Sequence, residues 1–320
     1  MILRRDSLKA AVGAAVLLRA LPSFAKASQP ATPVNFDVPP HACDCHTHIF
    51  GDPWKFPLWL GRAYTPETAS PEEMAALHRA LHIERVVIVN PSIYGTDNSA
   101  TLFGIRSRGA NARGVAVIDD KTSDSDLDAM RRGGIRAIRI NLTNAGQTDP
   151  AIARQRFQAA LRRVQHRDWH IEMYTTLPVI SGIKDLVQAS RVAAVFDHFG
   201  GAQAALGVDQ PGFKDLVALL QSGKAYVKVS GAYRASTRPD YADVKPLAQA
   251  LIAANADRII WGSDWPHPHP EAQAGHPLTE VTPLYQIDDG RVLNLLPVWA
   301  PDAAVRQKIL VDNPARLYGF

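Results

Sequence analysis

The stretch Arg85-Val86-Val87-Ile88-Val89-Asn90 is a nearly continuous apolar run of β-branched residues with one polar residue at each end. Arg258-Ile259-Ile260-Trp261 repeats this pattern near the other end of the chain. Strands that are covered on both faces have this composition, because neither face meets water. The two stretches therefore predict buried strands of a parallel sheet.

Six further short runs of this kind occur along the chain, and helix-like stretches separate them. Ser70-Pro71-Glu72-Glu73 has the capping serine, first-turn proline and glutamate of a helix start, and Asp149-Pro150 begins another helix. Eight alternating strand and helix signals predict a single-domain α/β protein, a (β/α)8 TIM barrel. The predicted strands are Cys43–Phe50, Arg85–Asn90, Ala112–Ile118, Arg136–Leu142, Trp169–Thr175, Val192–His198, Ala225–Ser230 and Arg258–Ser263.

The first residues have the features of an export signal. Arg4-Arg5-Asp6-Ser7-Leu8-Lys9 is a twin-arginine pattern, and an apolar stretch and the small-x-small motif Ala25-Lys26-Ala27 follow it. The apolar stretch is shorter than the roughly 20 residues that span a bilayer, so we expect no membrane anchor. We predict a twin-arginine signal peptide over residues 1–27, a linker over 28–40 and a periplasmic catalytic domain over 41–320.

Export changes the meaning of the charge balance. Residues 1–27 carry five basic residues against Asp6, a net charge of +4, and the whole chain is also +4 at pH 7. The exported protein is therefore close to neutral, and nothing in its charge predicts a nucleic-acid partner. The sequence leaves the oligomeric state open.

The two cysteines of the chain, Cys43 and Cys45, lie on the first predicted strand. Residues i and i+2 of a strand have Cα atoms roughly 6.5–7 Å apart, near the upper limit for a disulfide. We therefore expect two buried thiols, and a metal or redox role is the alternative.

Three histidines and one aspartate stand at the ends of predicted strands. His46 and His48 belong to Asp44-Cys45-His46-Thr47-His48 on strand one, His198 closes strand six, and Asp264 follows strand eight. The active sites of TIM barrels lie where the strands end. By the period of two, Asp44, His46 and His48 are expected to share one face of their strand. The pattern predicts an active site formed by His46, His48, His198 and Asp264.

This combination resembles the amidohydrolase superfamily, in which strand one carries His-x-His, strand six a His and strand eight an Asp. Within the superfamily the chain is most similar to the branch of 2-pyrone-4,6-dicarboxylate lactonase and sugar-lactone hydrolases. The resemblance covers the whole chain after the predicted signal peptide. The segments that carry the closer similarity are Arg62–Pro66, Tyr94–Asn98, Ile138–Asn141, Lys228–Arg234 and Asp312–Phe320.

The resemblance implies hydrolysis of a lactone, and chemistry assigns the roles. Asp264 is predicted as the general base that activates water, while His46, His48 and His198 polarise the carbonyl and keep the aspartate ionised. Rivals within the superfamily are a lactone isomerase and a zinc-dependent hydrolase or decarboxylase. A non-catalytic periplasmic binding protein is the alternative from another class.

The residue types leave two interpretations of the metal question. His46, His48, His198 and Asp264 could hold one zinc-like divalent ion with an open position. Metal-binding relatives often add a His or a modified Lys from strands four and five, where this chain has Asn141 and Tyr174. We therefore expect catalysis without a metal cofactor.

Several polar residues near the strand ends are candidates for substrate binding. Arginine forks suit carboxylates, which favours an acidic substrate for Arg139 and Arg234; pairing with a nearby acid is the alternative. Lys228 points the same way as Ser230 and is a weak candidate. Three tyrosines are predicted either to donate to substrate oxygens or to pack: Tyr64, Tyr174 and Tyr233.

The chain departs from the pyrone enzyme after strand six. His198 is followed by Phe199-Gly200-Gly201-Ala202, and strand four continues into Leu142-Thr143-Asn144-Ala145, with no cation in either segment. The pyrone enzyme uses a further arginine for its second carboxylate. We therefore expect a monocarboxylated or sugar-acid lactone rather than a dicarboxylated pyrone.

Overall fold

The computed structural model describes residues 27–269 and 277–320, so the predicted signal peptide lies outside the described residues except for its last residue, Ala27. Within the described part, one 8-stranded parallel sheet follows the chain in the order β1 to β8. This topology confirms the predicted (β/α)8 barrel. The strands are β1 Cys43–Thr47, β2 Arg85–Val89, β3 Ala112–Ala116, β4 Ile135–Asn141, β5 His170–Tyr174, β6 Ala194–Phe196, β7 Ala225–Ser230 and β8 Ile259–Gly262.

The helices surround this sheet, and their starts follow the sequence signals. Ser70 and Glu73 form the predicted capping box, in which each side chain accepts from the backbone N–H of the other. Asp149 caps the helix that begins at Pro150. The helices are α1 Pro71–Ala80, α2 Ser99–Arg108, α3 Asp124–Arg132, α4 Pro150–Val164, α5 Leu177–Ala189, α6 Phe213–Gln221, α7 Ala232–Ala235, α8 Lys245–Ala254, α9 Asp289–Leu293, α10 Leu296–Trp299, α11 Ala303–Gln307 and α12 Asn313–Tyr318. In the part of the chain that the structure describes, no helix has the length and hydropathy to cross a membrane.

The barrel closes between the end of β1 and the residues after β8. The His48 N–H donates to the Trp265 carbonyl at 2.8 Å, and the Asp264 N–H donates to the His46 carbonyl at 2.9 Å. These bonds between backbone atoms hold His46, His48 and Asp264 at a fixed spacing, independently of their side chains.

The barrel interior is a small cluster that is distinct from the larger core between sheet and helices. Cys43, Cys45, Val87 and Ile260 belong to it, and Tyr318 of α12 reaches it as well. Both cysteines are buried free thiols, as predicted.

The expectation that Asp44 shares a face with His46 and His48 is wrong. The register of β1 against β2 shifts between Asp44 and Thr47, so β1 contains one extra residue there. Before the shift Asp44 points toward α1, where its carboxylate lies 3.3 Å from His78 Nε2. A bulge of this kind turns the following side chains to the other face. His46 and His48 therefore point into the mouth of the barrel while Asp44 does not.

Two long loops after β1 and β8 meet over the rim. The Thr282 N–H donates to the Thr65 carbonyl at 2.7 Å, and Arg62 Nη2 donates to the Leu278 carbonyl at 3.0 Å. The segment predicted as a linker, residues 28–40, contains no helix or strand but bonds to the barrel. Its Ser28 carbonyl accepts from Trp265 Nε1 at 3.1 Å, next to Asp264.

Candidate active site

The structure brings together the four side chains that the sequence singled out. One carboxylate oxygen of Asp264, Oδ1, lies 3.6 Å from His46 Nε2, 3.7 Å from His48 Nε2 and 3.8 Å from His198 Nε2. All four residues are buried. Three ring nitrogens therefore surround one oxygen, each slightly beyond hydrogen-bond distance, so that a small atom could bridge them.

The backbone at two of these residues is in the left-handed region. His198 has φ 52° and Asp264 has φ 69°, conformations that side chains other than glycine seldom adopt. Gly231, directly after β7, also has a positive φ and lies between them. A Cβ on Gly231 would lie 3.0 Å from His198 Nδ1 and 3.3 Å from Asp264 Oδ2. The end of β7 therefore needs glycine so that β6 and β8 can place their side chains close together.

The second oxygen of Asp264 is held by two donors from the segment after β7. Oδ2 accepts from Arg234 Nε at 2.5 Å and from the Tyr233 hydroxyl at 2.7 Å. Burial alone would raise the pKa of Asp264, but the positive charge of Arg234 lowers this pKa well below its usual value. Oδ1 has no hydrogen-bond partner among the described residues although it is buried. Asp264 is thus an ionised carboxylate with one oxygen directed at the cavity.

His48 and His198 are neutral, and the Nδ1 atom of each ring is held by a hydrogen bond. His48 Nδ1 lies 2.7 Å from the Val89 carbonyl, which can only accept, so Nδ1 carries the proton and Nε2 is an acceptor. His198 Nδ1 lies 2.9 Å from the Ser230 hydroxyl. Burial lowers the pKa of His48 well below its usual value and lowers the pKa of His198 to about 3.

A layer of buried charges lies beneath the histidines. Lys228 Nζ is 2.5 Å from Glu172 Oε2, 3.3 Å from Asp197 Oδ1 and 3.1 Å from His46 Nδ1. Burial lowers the pKa of Lys228, but the two carboxylates outweigh burial and raise it. Burial likewise raises the pKa of Glu172, yet the Lys228 charge brings it down to about 2. The layer is therefore a lysine ammonium between two carboxylates.

Sequence reasoning missed Glu172 and Asp197 and gave Lys228 little weight. Asp197 directly precedes His198, and Glu172 lies on β5 with Tyr174, so their positions next to rim residues were the available signal. An acid inside an apolar strand is costly to bury unless it is paired, and that cost is the physical hint of a partner.

The predicted substrate-binding residues divide into two groups. Four of them, Tyr64, Arg139, Tyr174 and Arg234, line a small cavity over Asp264 Oδ1. Tyr233 instead holds Asp264 from the side, as the preceding bonds show. Arg139 Nη2 donates to Asp197 Oδ2 at 3.1 Å, and Arg139 Nε is buried without a hydrogen-bond partner among the described residues.

A divalent ion was the second interpretation of the histidine set. Two groups of described residues have ligand atoms close enough to hold one: His46, His48 and Asp264, and His46, Asp197 and His198. Both groups depend on His46. Its Nδ1 faces the Lys228 ammonium at 3.1 Å, and an ammonium can only donate. A ring that accepts from Lys228 at Nδ1 carries its proton on Nε2, and in that arrangement neither nitrogen of His46 has a free lone pair for an ion.

Comparison with known proteins agrees with the geometry. The chain matches the amidohydrolase family over residues 43–320. The 4-sulfomuconolactone hydrolase of Rhizobium radiobacter is 35% identical over 288 residues, 90% of this chain and 93% of that protein. The 2-pyrone-4,6-dicarboxylate hydrolase of Comamonas testosteroni is 32% identical, covering 92% of this chain and 94% of that protein.

A solved structure gives the same result at the level of the fold. The crystal structure of a candidate 2-pyrone-4,6-dicarboxylic acid hydrolase from Pseudomonas putida is 30% identical with a TM-score of 0.73, covering 88% of this chain and 98% of that one. With its parallel barrel and its histidines and aspartate at the strand ends, the chain belongs to the amidohydrolase family.

Proposed function

We propose that the protein is a lactone hydrolase in which Asp264 is the general base. The observation that carries this proposal is Oδ1 of the ionised, buried Asp264, which has no hydrogen-bond partner among the described residues and lies within 3.8 Å of three imidazole nitrogens. A water bound there would donate to Asp264 Oδ1 and to His48 Nε2, which is an acceptor. Asp264 then takes the proton as the water oxygen attacks the lactone carbonyl, and it returns this proton to the leaving ring oxygen when the tetrahedral intermediate collapses and the ring C–O bond breaks.

The developing oxyanion needs donors on the other side of the carbonyl. His46 Nε2 and His198 Nε2 both face Asp264 Oδ1, and a neighbouring carboxylate favours a proton on each of them. We assign these two N–H groups to the oxyanion and give His48 the water. This assignment refines the sequence expectation that all three histidines polarise the carbonyl.

The substrate class follows from the charges around the cavity. Arg139 lines the cavity with a buried Nε that has no hydrogen-bond partner among the described residues, which suits one carboxylate of the substrate. The segments after β4 and β6 contribute no cation that could bind a second one. The named relatives act on acidic lactones. We therefore propose a monocarboxylated or sugar-acid lactone as the substrate, and catalysis without a divalent ion.

The test is a panel of lactones assayed by acid release on protein of measured metal content. We expect turnover of at least one acidic lactone by metal-free protein, and loss of turnover in Asp264→Asn with Asp209→Asn, an exposed aspartate, as the matched control. Product analysis by NMR separates hydrolysis from isomerisation, because only hydrolysis yields the open acid. Tight binding of a lactone without turnover would show that the protein is a binding protein and not an enzyme. Stoichiometric zinc, with activity lost to a chelator, would overturn the metal-free proposal.

We also propose periplasmic localisation through the twin-arginine pathway. The support is the Arg4-Arg5 pattern and the apolar stretch after it. Cell fractionation of the wild type and of the Arg4→Lys, Arg5→Lys variant tests it. We expect the wild type in the periplasmic fraction and the variant in the cytoplasm; equal distribution of the two would contradict the proposal.

A further inference from the structure

Lys228 lies in the barrel interior, where burying a positive charge costs free energy unless the charge is paired. Its side chain is fully buried, and no solvent reaches its Nζ. The two carboxylates around it, Glu172 Oε2 at 2.5 Å and Asp197 Oδ1 at 3.3 Å, balance its charge. Its third neighbour is not an acid but the ring of His46, at 3.1 Å.

The direction of the hydrogen bond to His46 is determined by the lysine. An ammonium has three donors and no acceptor, so His46 Nδ1 must supply the lone pair. The ring is then neutral with its single proton on Nε2. That proton faces Asp264 Oδ1 at 3.6 Å, across the space where a substrate oxygen would lie.

Asp197 offers the only other partner for His46 Nδ1 among the described residues, and it would reverse the result. Asp197 Oδ1 lies 3.3 Å from Nδ1, farther than Lys228 Nζ at 3.1 Å, and this oxygen is already paired with the lysine ammonium at 3.3 Å. If Nδ1 donated to Asp197, Nε2 would be free to bind a metal, as in carboxylate–histidine–zinc sites. The position of Lys228 therefore decides whether His46 Nε2 is a hydrogen-bond donor or a free metal ligand.

We propose that Lys228 is a positioning residue that holds His46 in the Nε2–H tautomer, which makes His46 an oxyanion donor and withdraws it as a metal ligand. This inference rests on the proposed lactone hydrolysis and identifies what adapts a metal-type histidine pair to that reaction. Glu172 and Asp197 take part by holding Lys228 in place. Lys228 itself does not contact the substrate.

Nitrogen-15 NMR of histidine-labelled full-length protein tests the tautomer directly and requires no substrate. His46→Gln identifies the His46 signals by difference. We expect the wild-type His46 to carry its proton on Nε2 and the protein to bind no zinc in a titration. Wild-type His46 protonated on Nδ1, or binding of one zinc per chain, overturns the proposal even if lactone hydrolysis is confirmed.

A variant pair tests the cause. Lys228→Met alone leaves two buried carboxylates without a cation, so this substitution is combined with Glu172→Gln. The control is Lys224→Met, directly before β7. We expect the double variant to move the His46 proton to Nδ1, to bind zinc, and to lose hundreds-fold in kcat with little change in KM. An unchanged tautomer in the folded variant overturns the role of Lys228. If the variant does not fold, the wild-type spectrum still decides the tautomer.

Discussion

Arg234 determines the charge state of Asp264 at the scale of single residues. Its Nε lies 2.5 Å from Asp264 Oδ2, and its charge opposes the effect of burial on the aspartate. In the wild type, Asp264 should therefore contribute no acid limb to kcat/KM between about pH 5 and 8.

Replacing Arg234 with glutamine should make this limb visible. Without the guanidinium charge, the effect of burial is less opposed and the pKa of Asp264 rises, so activity is lost as the pH falls through a higher value. The pH profile of kcat/KM measures the shift, and Arg238→Gln, an exposed arginine paired with Asp240, is the control. A profile of Arg234→Gln identical in shape to the wild type would contradict the role of Arg234.

His198 is the second residue whose removal gives a sharp result. Loss of one oxyanion donor typically costs about 3–4 kcal/mol of transition-state stabilisation, so His198→Ala should lower kcat hundreds-fold. His166→Ala, at an exposed position after α4, should leave kcat unchanged. Steady-state kinetics on a hydrolysed lactone measure both, and a loss of less than tenfold would remove His198 from the oxyanion site.

The sequence predicted the rim of the site better than the layer beneath it. His198 and Asp264 could be found because each directly follows an apolar run, and the ends of parallel strands meet at one edge. Lys228 and Glu172 lie within their strands, where the sequence does not show that their charges are neighbours. Their pairing depends on the tilt and register of β5 against β7, which no local pattern contains.

The element that limits the site is the turn at the end of β7. Gly231→Ala would combine the cost of a positive φ, about 1–2 kcal/mol, with a contact 3.0 Å from His198 Nδ1. We expect reduced thermal stability and a clear loss of kcat. Gly109→Ala is a matched control, because its φ is +64° and a Cβ there meets nothing within 4 Å. If both variants lose the same stability and neither loses activity, the contact with the site has no importance.

At the same scale, the strands were predicted correctly but their ends were not. Strand six was predicted as Val192–His198 but spans Ala194–Phe196, because His198 adopts a positive φ and leaves the extended conformation. Strand one was predicted to continue to Phe50 and to keep strict alternation; the bulge after Asp44 breaks this alternation. Apolar runs identify a strand, but a bulge depends on the pairing with its neighbour.

The loop after β1 and the loop after β8 are hydrogen-bonded to each other over the rim of the barrel. Arg62 bonds to Leu278 in the other loop and to Thr65 in its own. Arg62→Ala should weaken this contact, so that the Thr282 amide exchanges faster and KM rises several-fold with little change in kcat. Hydrogen exchange and steady-state kinetics measure the two effects, with the exposed Arg106→Ala as control. Faster exchange with an unchanged KM would mean that the loop contact does not help to bind substrate.

At the scale of the whole molecule, Tyr318 connects the far end of the barrel to its charged interior. Its hydroxyl donates to Glu172 Oε1 at 2.6 Å, across 146 positions of the chain. Without α12 the base of the barrel would therefore be open, and water would reach the lysine that contacts His46. A chain that ends just before Tyr318 would contain every residue of the rim, but the layer of buried charges beneath them would be exposed to water.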